Sequence, residues 1–183
     1  MRGLFLCLVA GLLAGCEALP VRENHFAPRP APADIAAFSF DGRISARQGE
    51  TSHHANIAWR HTPDDDEILL TTPLGQGVAE LTRGARGARL VGADRQVFEA
   101  PDWEGLSARL FGFELPLTGL PRWVLGDVPS AGRGAQLDAA RVAGWDIRYL
   151  DRESDAPGAL PVLIEFRRDD IELRLKVDEW HLE

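Results

Sequence analysis

Alternation of apolar and polar residues with a period of two dominates the chain after residue 37. Successive side chains of a β-strand point to opposite faces, so this period indicates strands with one buried face. Short runs of this kind, separated by turns with Gly, Asp or Pro, predict strands near residues 38–46, 55–59, 68–72, 78–82, 88–92, 95–99, 145–149, 162–166 and 171–178.

The last of these runs is the most regular. Its odd positions are apolar from Ile171 to Val177 and its even positions are charged, but the phase reverses at Glu179, so that Trp180 and Leu182 form the next apolar pair. A shift of one residue turns every following side chain to the other face of a sheet. The reversal therefore predicts either a β-bulge or the end of strand pairing.

Helical spacing replaces the strand period between residues 102 and 126. Asp102 is suited to cap a first helix, in which Trp103, Leu106 and Leu110 share one face. A second short helix is predicted over residues 118–125. Many strands with short helices inserted between them predict one antiparallel sheet, curled and covered by helices.

The N-terminus has the composition of a secretory signal. Arg2 precedes an apolar run over residues 4–13, which is too short to span a bilayer core of about 30 Å as a permanent helix. The run ends in Leu13-Ala14-Gly15-Cys16, which looks like a lipobox, the bacterial signal for diacylation of a cysteine and cleavage before it. We expect a lipoprotein signal peptide over residues 1–15 and a lipid anchor on Cys16. An ordinary export signal with a chance cysteine is the alternative.

The mature chain is expected to have two parts. Residues 16–34 comprise the lipidated cysteine and a polar, proline-rich tether, and residues 35–183 form one domain. The full chain has 28 acidic and 20 basic residues and a net charge of −8. A negative charge argues against binding nucleic acid and against adsorption to anionic lipid. Membrane attachment is therefore expected to depend on the acyl chains.

Catalytic and cofactor motifs are missing from the sequence. It contains no G-x-S-x-G elbow, no P-loop and no dinucleotide glycine pattern. The histidines lack the spacing of a zinc site, and the adjacent His53 and His54 point to opposite faces of a strand. Asp64-Asp65-Asp66 is predicted to be a solvated turn rather than a cation site, and Gly84-Ala85-Arg86-Gly87 a hairpin loop rather than an anion site. We expect neither an enzyme nor a bound metal or cofactor.

The chain is rich in tryptophan, with five residues of this type. A solid core could use all of them, and composition alone favours that interpretation. A curled sheet that helices close incompletely can instead keep an apolar hollow. The tryptophans are Trp59, Trp103, Trp123, Trp145 and Trp180.

One predicted turn contains a large aliphatic residue. In Thr71-Thr72-Pro73-Leu74-Gly75-Gln76-Gly77, Pro73 and Gly75 shape the turn and Leu74 lies at its tip. Because turn tips are normally polar, Leu74 either folds back on the core or points outward for a functional reason. Local chemistry alone favours folding back.

Six short segments occur in one order across nearly the whole mature chain. In these segments the chain resembles the LolB family of outer-membrane lipoprotein receptors, which accept lipoproteins from the periplasmic carrier LolA. The segments are the lipobox at Cys16, Phe40-Asp41-Gly42-Arg43-Ile44, Ala58-Trp59, Leu69-Leu70-Thr71-Thr72-Pro73-Leu74-Gly75, Leu120-Pro121-Arg122-Trp123-Val124-Leu125-Gly126 and Leu173-Arg174-Leu175-Lys176-Val177-Asp178-Glu179-Trp180.

The resemblance implies a fold and a set of site residues. The fold is mainly β, an unclosed antiparallel β-barrel with a short-helix lid over an apolar cavity. Leu74 matches a protruding-loop leucine that places lipoproteins in the membrane, which is contrary to the local preference, and Pro73 and Gly75 belong to the same loop. The residues expected to line the cavity or its lid are Trp59, Trp123, Leu120 and Leu125.

The function that the resemblance implies is that of a monomeric receptor, anchored in the outer membrane at its periplasmic face. It accepts acylated lipoproteins from LolA and inserts them without nucleotide. A lipid-anchored assembly or scaffold lipoprotein with no acyl-binding cavity is the main alternative, and an extracytoplasmic hydrolase is a weaker one. Two features depart from the family pattern. Glu17 is an acidic residue that can bias sorting towards the inner membrane, and residues 129–141 match no family segment.

Overall fold

The computed structural model describes residues 30–111, 118–128 and 137–183. A single turn of 3-10 helix (Pro32–Asp34) precedes strands β1 (Phe38–Gln48), β2 (Thr51–His61), β3 (Asp66–Thr71), β4 (Gly77–Gly84), β5 (Gly87–Gly92) and β6 (Val97–Ala100). Helices α1 (Trp103–Phe111) and α2 (Leu120–Val124) follow, and then strands β7 (Ala139–Val142), β8 (Trp145–Arg152), β9 (Pro161–Arg168) and β10 (Ile171–Leu182).

In the described residues all the strands belong to one antiparallel sheet, in the order β6-β5-β4-β3-β2-β1-β10-β9-β8-β7. β6 and β7 are its two edges and do not pair with each other, so the sheet is not closed. Buried side chains from β1, β2, β8, β9 and β10 meet those of α2 in one apolar cluster, so the sheet wraps around its inner face. The predicted fold class, an open antiparallel barrel with a short-helix lid, is confirmed.

The inner face is most aromatic where β1 begins. Phe40 pairs across the sheet with Trp59 on one side and Trp180 on the other. The ring centroids lie 5.8 and 5.0 Å from that of Phe40, both at an interplanar angle of 66°. Phe38, two residues earlier in β1, packs edge-to-face against the same two tryptophans, with ring centroids 5.6 Å from Trp59 and 5.5 Å from Trp180. Edge-to-face packing of this kind adds to the stabilisation from burial, so these contacts help to stabilise this end of the barrel.

A β-bulge explains the phase reversal in the last strand. Between Asp41 and Gly42 the partner changes from Glu179 to Val177, which leaves Asp178 as the extra residue. Pairing then continues to the end of β10, so of the two predicted outcomes the bulge is the one observed.

Gly42 lies opposite that bulge. A Cβ atom at this position would overlap the carbonyl oxygen of Lys176, so only glycine allows the two backbones to approach so closely. Arg43, the next residue, donates a hydrogen bond to the Asp178 carboxylate at 2.7 Å and ties the bulged residue to β1.

The helices begin and end close to the predicted residues. Asp102 caps α1, since its carboxylate accepts the backbone N–H of Gly105 at 2.7 Å. The second helix begins at Leu120 rather than residue 118, and Gly126, with φ +82°, follows it. No helix within the described ranges is long and apolar enough to cross a membrane.

Candidate functional site

The loop between β3 and β4 is a tight, hydrogen-bonded turn. The carbonyl oxygen of Thr72 accepts the backbone N–H of Gly75 at 2.8 Å, and the backbone N–H of Thr72 donates to the Gln76 carbonyl at 2.8 Å. The Thr72 hydroxyl accepts the Gln76 N–H at 3.1 Å, and the side-chain amide of Asn56 donates to the Thr72 carbonyl at 3.1 Å. Gly75 has φ +82°, which favours glycine at this position. The loop is therefore anchored to β2 and closed across its base.

Leu74 is 90% exposed at the tip of this turn. The local expectation that it folds back on the core is wrong. The hydrogen bonds of Thr72 hold Leu74 in the centre of a four-residue turn, away from the apolar inner face of the sheet. A leucine side chain gains roughly 1.5–3 kcal/mol when fully buried, so the loop presents an apolar group for which water is a poor environment.

The expected cavity and lid residues lie together in the interior. Trp59 on β2 is 5% exposed, and Trp123 and Leu125 at α2 are 4% and 2% exposed. All three belong to one apolar cluster, against which the half-buried Leu120 packs. Leu74 does not join this cluster. The sequence-derived site residues thus form two separate places, a loop tip and an interior.

Helix α2 is held against the sheet by polar contacts as well as apolar ones. The Tyr149 hydroxyl of β8 donates to the Trp123 carbonyl oxygen at 2.8 Å, and burial raises the pKa of this phenol well above its usual value. Arg122 forms an ion pair with Asp127 just beyond the helix. A pocket of about 260 Å³ lies beside α2 and is lined by Leu125 and by polar side chains that include His61, Asp66 and Arg83. The hydrogen bond from Tyr149 is thus a polar contact that ties α2 to the sheet.

The inner face is buried unevenly from one end to the other. Where β1 begins, Phe38, Phe40 and Trp59 are at most 5% exposed. The opposite end is where β1 and β3 end and where β8 and β10 begin. The Leu74 loop lies at this end. There the start of β8 is still buried, with Trp145 and Ile147 at most 2% exposed, but the aliphatic residues of β1, β3 and β10 that pack against the cluster are only half-buried. They are Ile44, Leu70, Ile171 and Leu173.

A buried carboxylate lies beside α2, at the end of the barrel where β1 begins. Asp66 is 1% exposed, and its Oδ1 accepts the indole N–H of Trp59 at 2.9 Å and lies 2.7 Å from Nδ1 of His61. Its Oδ2 accepts Nε–H of Arg83 at 2.6 Å and the indole N–H of Trp103 at 3.5 Å. This polar cluster joins β2, β3, β4 and α1.

The prediction of a solvated turn is wrong for Asp66, although Asp64 and Asp65 are exposed as expected. Asp66 is the first residue of β3 and shares the inner face with Ile68 and Leu70. Burial alone would raise the pKa of its carboxyl, but hydrogen bonds from His61, Trp59 and Arg83 outweigh that effect, and the pKa lies below its usual value. The phase of β3 was the sequence signal that could have revealed this residue.

Other predictions have simpler outcomes. Gly84-Ala85-Arg86-Gly87 forms the β4–β5 hairpin loop, as predicted. Across the part of the chain that the structure describes, no group of three or more His, Cys, Asp or Glu residues could hold a metal ion. The expected anchor at Cys16, with Glu17, lies outside the described residues, as do residues 129–136 of the unassigned segment.

Comparison with known proteins decides the family. Residues 36–180 match the sequence model described as "Outer membrane lipoprotein LolB". The chain belongs to the LolB family. The match includes both the Leu74 loop and the interior tryptophans.

Three LolB relatives, each named "Outer-membrane lipoprotein LolB", align over most of their lengths. The protein of Chromobacterium violaceum is 36% identical over 98% of this chain and 99% of its own. The proteins of Azoarcus sp. and Nitrosomonas europaea are 34% and 35% identical, over 96% and 92% of this chain and 93% and 87% of theirs. The predicted family and the predicted location, lipid-anchored in the outer membrane, are confirmed.

A solved structure of a DUF1329 family protein from Desulfovibrio piger aligns with 83% of this chain and 88% of its own. The TM-score is 0.49 and the sequence identity 8%, which is too low to support an inference about fold or function.

Proposed function

We propose that this chain is an outer-membrane receptor that accepts acylated lipoproteins from the periplasmic carrier LolA and inserts them into the outer membrane without nucleotide. Membership of the LolB family supports a role in lipoprotein localisation. One observation carries the finer proposal: the almost fully exposed Leu74 lies at the same end of the sheet as the half-buried, aliphatic part of the interior.

The physical problem is the transfer of hydrocarbon through water. Each CH₂ group exposed to water costs about 0.8 kcal/mol, so a single long acyl chain left in solvent costs on the order of ten kcal/mol. A carrier must hide the chains, and a receptor must take them over without exposing them. In our proposal the half-buried end of this interior meets the carrier's cavity, and the chains move towards the site that binds them more tightly.

The interior residues would then be the acyl-binding surface. Trp59 on the sheet and Trp123, Leu120 and Leu125 at the lid face the same apolar cluster. Because Trp123 and Leu125 are buried against the sheet, uptake of a chain requires α2 to move away from it. Such a movement would have to break the hydrogen bond from the Tyr149 hydroxyl to the Trp123 carbonyl oxygen.

Release would take place beside the bilayer, at the Leu74 loop. The acyl chains on Cys16 would keep the domain at the membrane surface, and residues 17–34 would set how far it reaches. Burial of Leu74 in the lipid would compensate for its exposure in water. It would also disturb lipid packing next to the open end of the barrel, where the cargo's chains leave.

Replacement of Leu74 by Glu in the full lipidated chain tests this proposal. We expect the variant to take cargo from LolA normally but to insert less than a tenth as much into liposomes, since a carboxylate resists transfer into hydrocarbon. Insertion is measured by cofloatation of the cargo with the vesicles. Leu74→Met keeps the apolar side chain and should insert cargo like the unmodified protein.

Two results would contradict the proposal. If Leu74→Glu inserts cargo normally, the loop has no part in insertion. If it fails to receive cargo from the carrier, the loop acts in reception and not in release.

A further inference from the structure

Trp145, the first residue of β8, has a buried indole N–H with no acceptor. The side chain is 2% exposed, and within the described ranges its Nε1 has no hydrogen-bond partner. By contrast, the indole N–H of Trp59 donates to Asp66 at 2.9 Å, and that of Trp180 donates to the Pro161 carbonyl oxygen at 2.9 Å. Buried donors in folded proteins are nearly always satisfied, so the exception at Trp145 needs an explanation.

The position of Trp145 relates this donor to the open end of the interior. The next residue, Asp146, pairs with Arg167 of β9, and Arg168 pairs with Ile171 at the start of β10. Trp145 is thus level with the half-buried Ile171, at the end of the sheet that carries the Leu74 loop. Trp145 belongs to the same apolar cluster as the other interior residues, and its N–H is buried together with the ring.

The chemistry of an acylated cysteine fits such a donor. An acyl chain touches apolar walls equally well anywhere along its length, so hydrocarbon contacts alone do not fix how deep it goes. Each chain has one carbonyl group, at its head, and the oxygen is a hydrogen-bond acceptor that also loses water on transfer to an apolar interior. A single N–H near the open end would satisfy that oxygen and be satisfied by it.

We infer that the Trp145 indole N–H donates a hydrogen bond to the carbonyl oxygen of a bound acyl ester or amide and so fixes how far the chain enters the barrel. This inference rests on the proposed function. It adds a head-group contact to a site otherwise made of apolar walls. The rest of the chain then extends from Trp145 towards the aromatic end of the barrel.

Matched ligands distinguish this contact from ordinary apolar binding. A long-chain fatty acid methyl ester, the corresponding N-methyl amide and an alkyl ether of equal length present nearly the same hydrocarbon, but the ether has no carbonyl. Their dissociation constants are measured on the full chain by displacement of an apolar fluorescent probe. We expect ester or amide to bind about fivefold more tightly than the ether, the effect of one neutral hydrogen bond.

Trp145→Phe removes the N–H and keeps an aromatic ring in place. We expect this variant to bind the carbonyl ligands no better than the ether, with the affinity for the ether unchanged. Its thermal stability should fall less than that of Trp180→Phe, since both variants lose the same buried volume but only Trp180 also loses a hydrogen bond. Trp180→Phe is the matched control: its N–H already has an acceptor, so the preference for carbonyl ligands should persist there.

Each outcome bears on the inference. Tighter binding of the ester alone, or of the amide alone, identifies which acyl linkage accepts the hydrogen bond from Trp145. A preference that survives in Trp145→Phe overturns the inference, and so does equal binding of ester, amide and ether by the unmodified chain. In the latter case apolar binding, and with it the proposed function, still stands. If no ligand binds, both fail.

Discussion

Leu74 and Asp66 reverse the usual relation between polarity and exposure. The leucine is 90% exposed, whereas the aspartate is 1% exposed. A buried charged group is tolerated only with partners, and Asp66 has Trp59, His61 and Arg83. Leu74 instead leaves most of its apolar surface in water, as the proposed role of its loop in insertion requires. Asp66 stabilises the end of the barrel beside α2, and Leu74 is exposed where the proposed function requires contact with a membrane.

Replacement of Asp66 by Asn should lower the free energy of unfolding by roughly 3 kcal/mol, because it leaves the Arg83 guanidinium and His61 without the carboxylate they bind. Urea unfolding followed by tryptophan fluorescence measures the change. Asp64→Asn, in the neighbouring exposed turn, is the control and should change stability by less than about 0.5 kcal/mol. Equal effects of the two substitutions would contradict the role given to Asp66.

The same carboxylate predicts how stability depends on pH. The folded state holds the pKa of Asp66 below its usual value, so the unfolded chain binds the proton more readily. The stabilisation is therefore fully present above about pH 4, the pKa of a free aspartate, and is lost as the pH falls through the lower folded-state value. Urea unfolding between pH 3 and pH 6 should show a decline at the acid end that Asp66→Asn lacks. If the stability of Asp66→Asn declines equally at low pH, the decline comes from other carboxylates.

At the scale of elements, alternation located most strands but not their full extent. β2 begins at Thr51, before any apolar alternation, because its polar end still pairs in register with β1. β7 was missed because its inward positions, Ala140 and Val142, hold no large apolar side chain, whereas the equally short β6 contains Phe98. The phase reversal in β10 was readable from the sequence because one inserted residue inverts everything after it, but only the register with β1 distinguished a bulge from the end of pairing.

The candidate site was only partly readable for a similar reason. The family resemblance supplied the Leu74 loop and the interior tryptophans, whereas local chemistry alone gave the wrong orientation for Leu74. Asp66 was assigned to a turn because two exposed aspartates precede it, although its phase with Ile68 and Leu70 places it on the inner face. Trp145 could not be distinguished from the other tryptophans, because the absence of an acceptor is a property of the folded interior.

Helix α2 is the element whose movement the account requires, and Tyr149 is a contact that restrains it. Tyr149→Phe removes the hydrogen bond to the Trp123 carbonyl, at a cost of about 1 kcal/mol of stability. We expect faster amide exchange in residues 120–125 and faster uptake of an apolar dye. Ile147→Val, at a fully buried site on the same strand, should cost similar stability and leave α2 exchange unchanged. Identical exchange of α2 in both variants would count against a movable lid.

At the scale of the whole molecule, the open sheet is consistent with the proposal that one small domain both holds and releases hydrocarbon. Its edges, β6 and β7, stay unpaired with each other, and short helices cover what the strands do not enclose. Edge-to-face aromatic packing lies at one end, and at the other end half-buried aliphatic residues of β1, β3 and β10 lie next to the exposed loop. Binding and release are therefore expected at the same end of the barrel.

The most direct test of the central claim mixes the chain from residue 17 onward, which lacks the anchor, with LolA loaded with an acylated lipoprotein and without nucleotide. Separation of the two proteins then shows which of them holds the cargo. We predict that the cargo moves to this chain. Cargo that stays on a competent carrier, with the domain shown to be folded by circular dichroism, would contradict the receptor function and favour a lipid-anchored scaffold with a solid core.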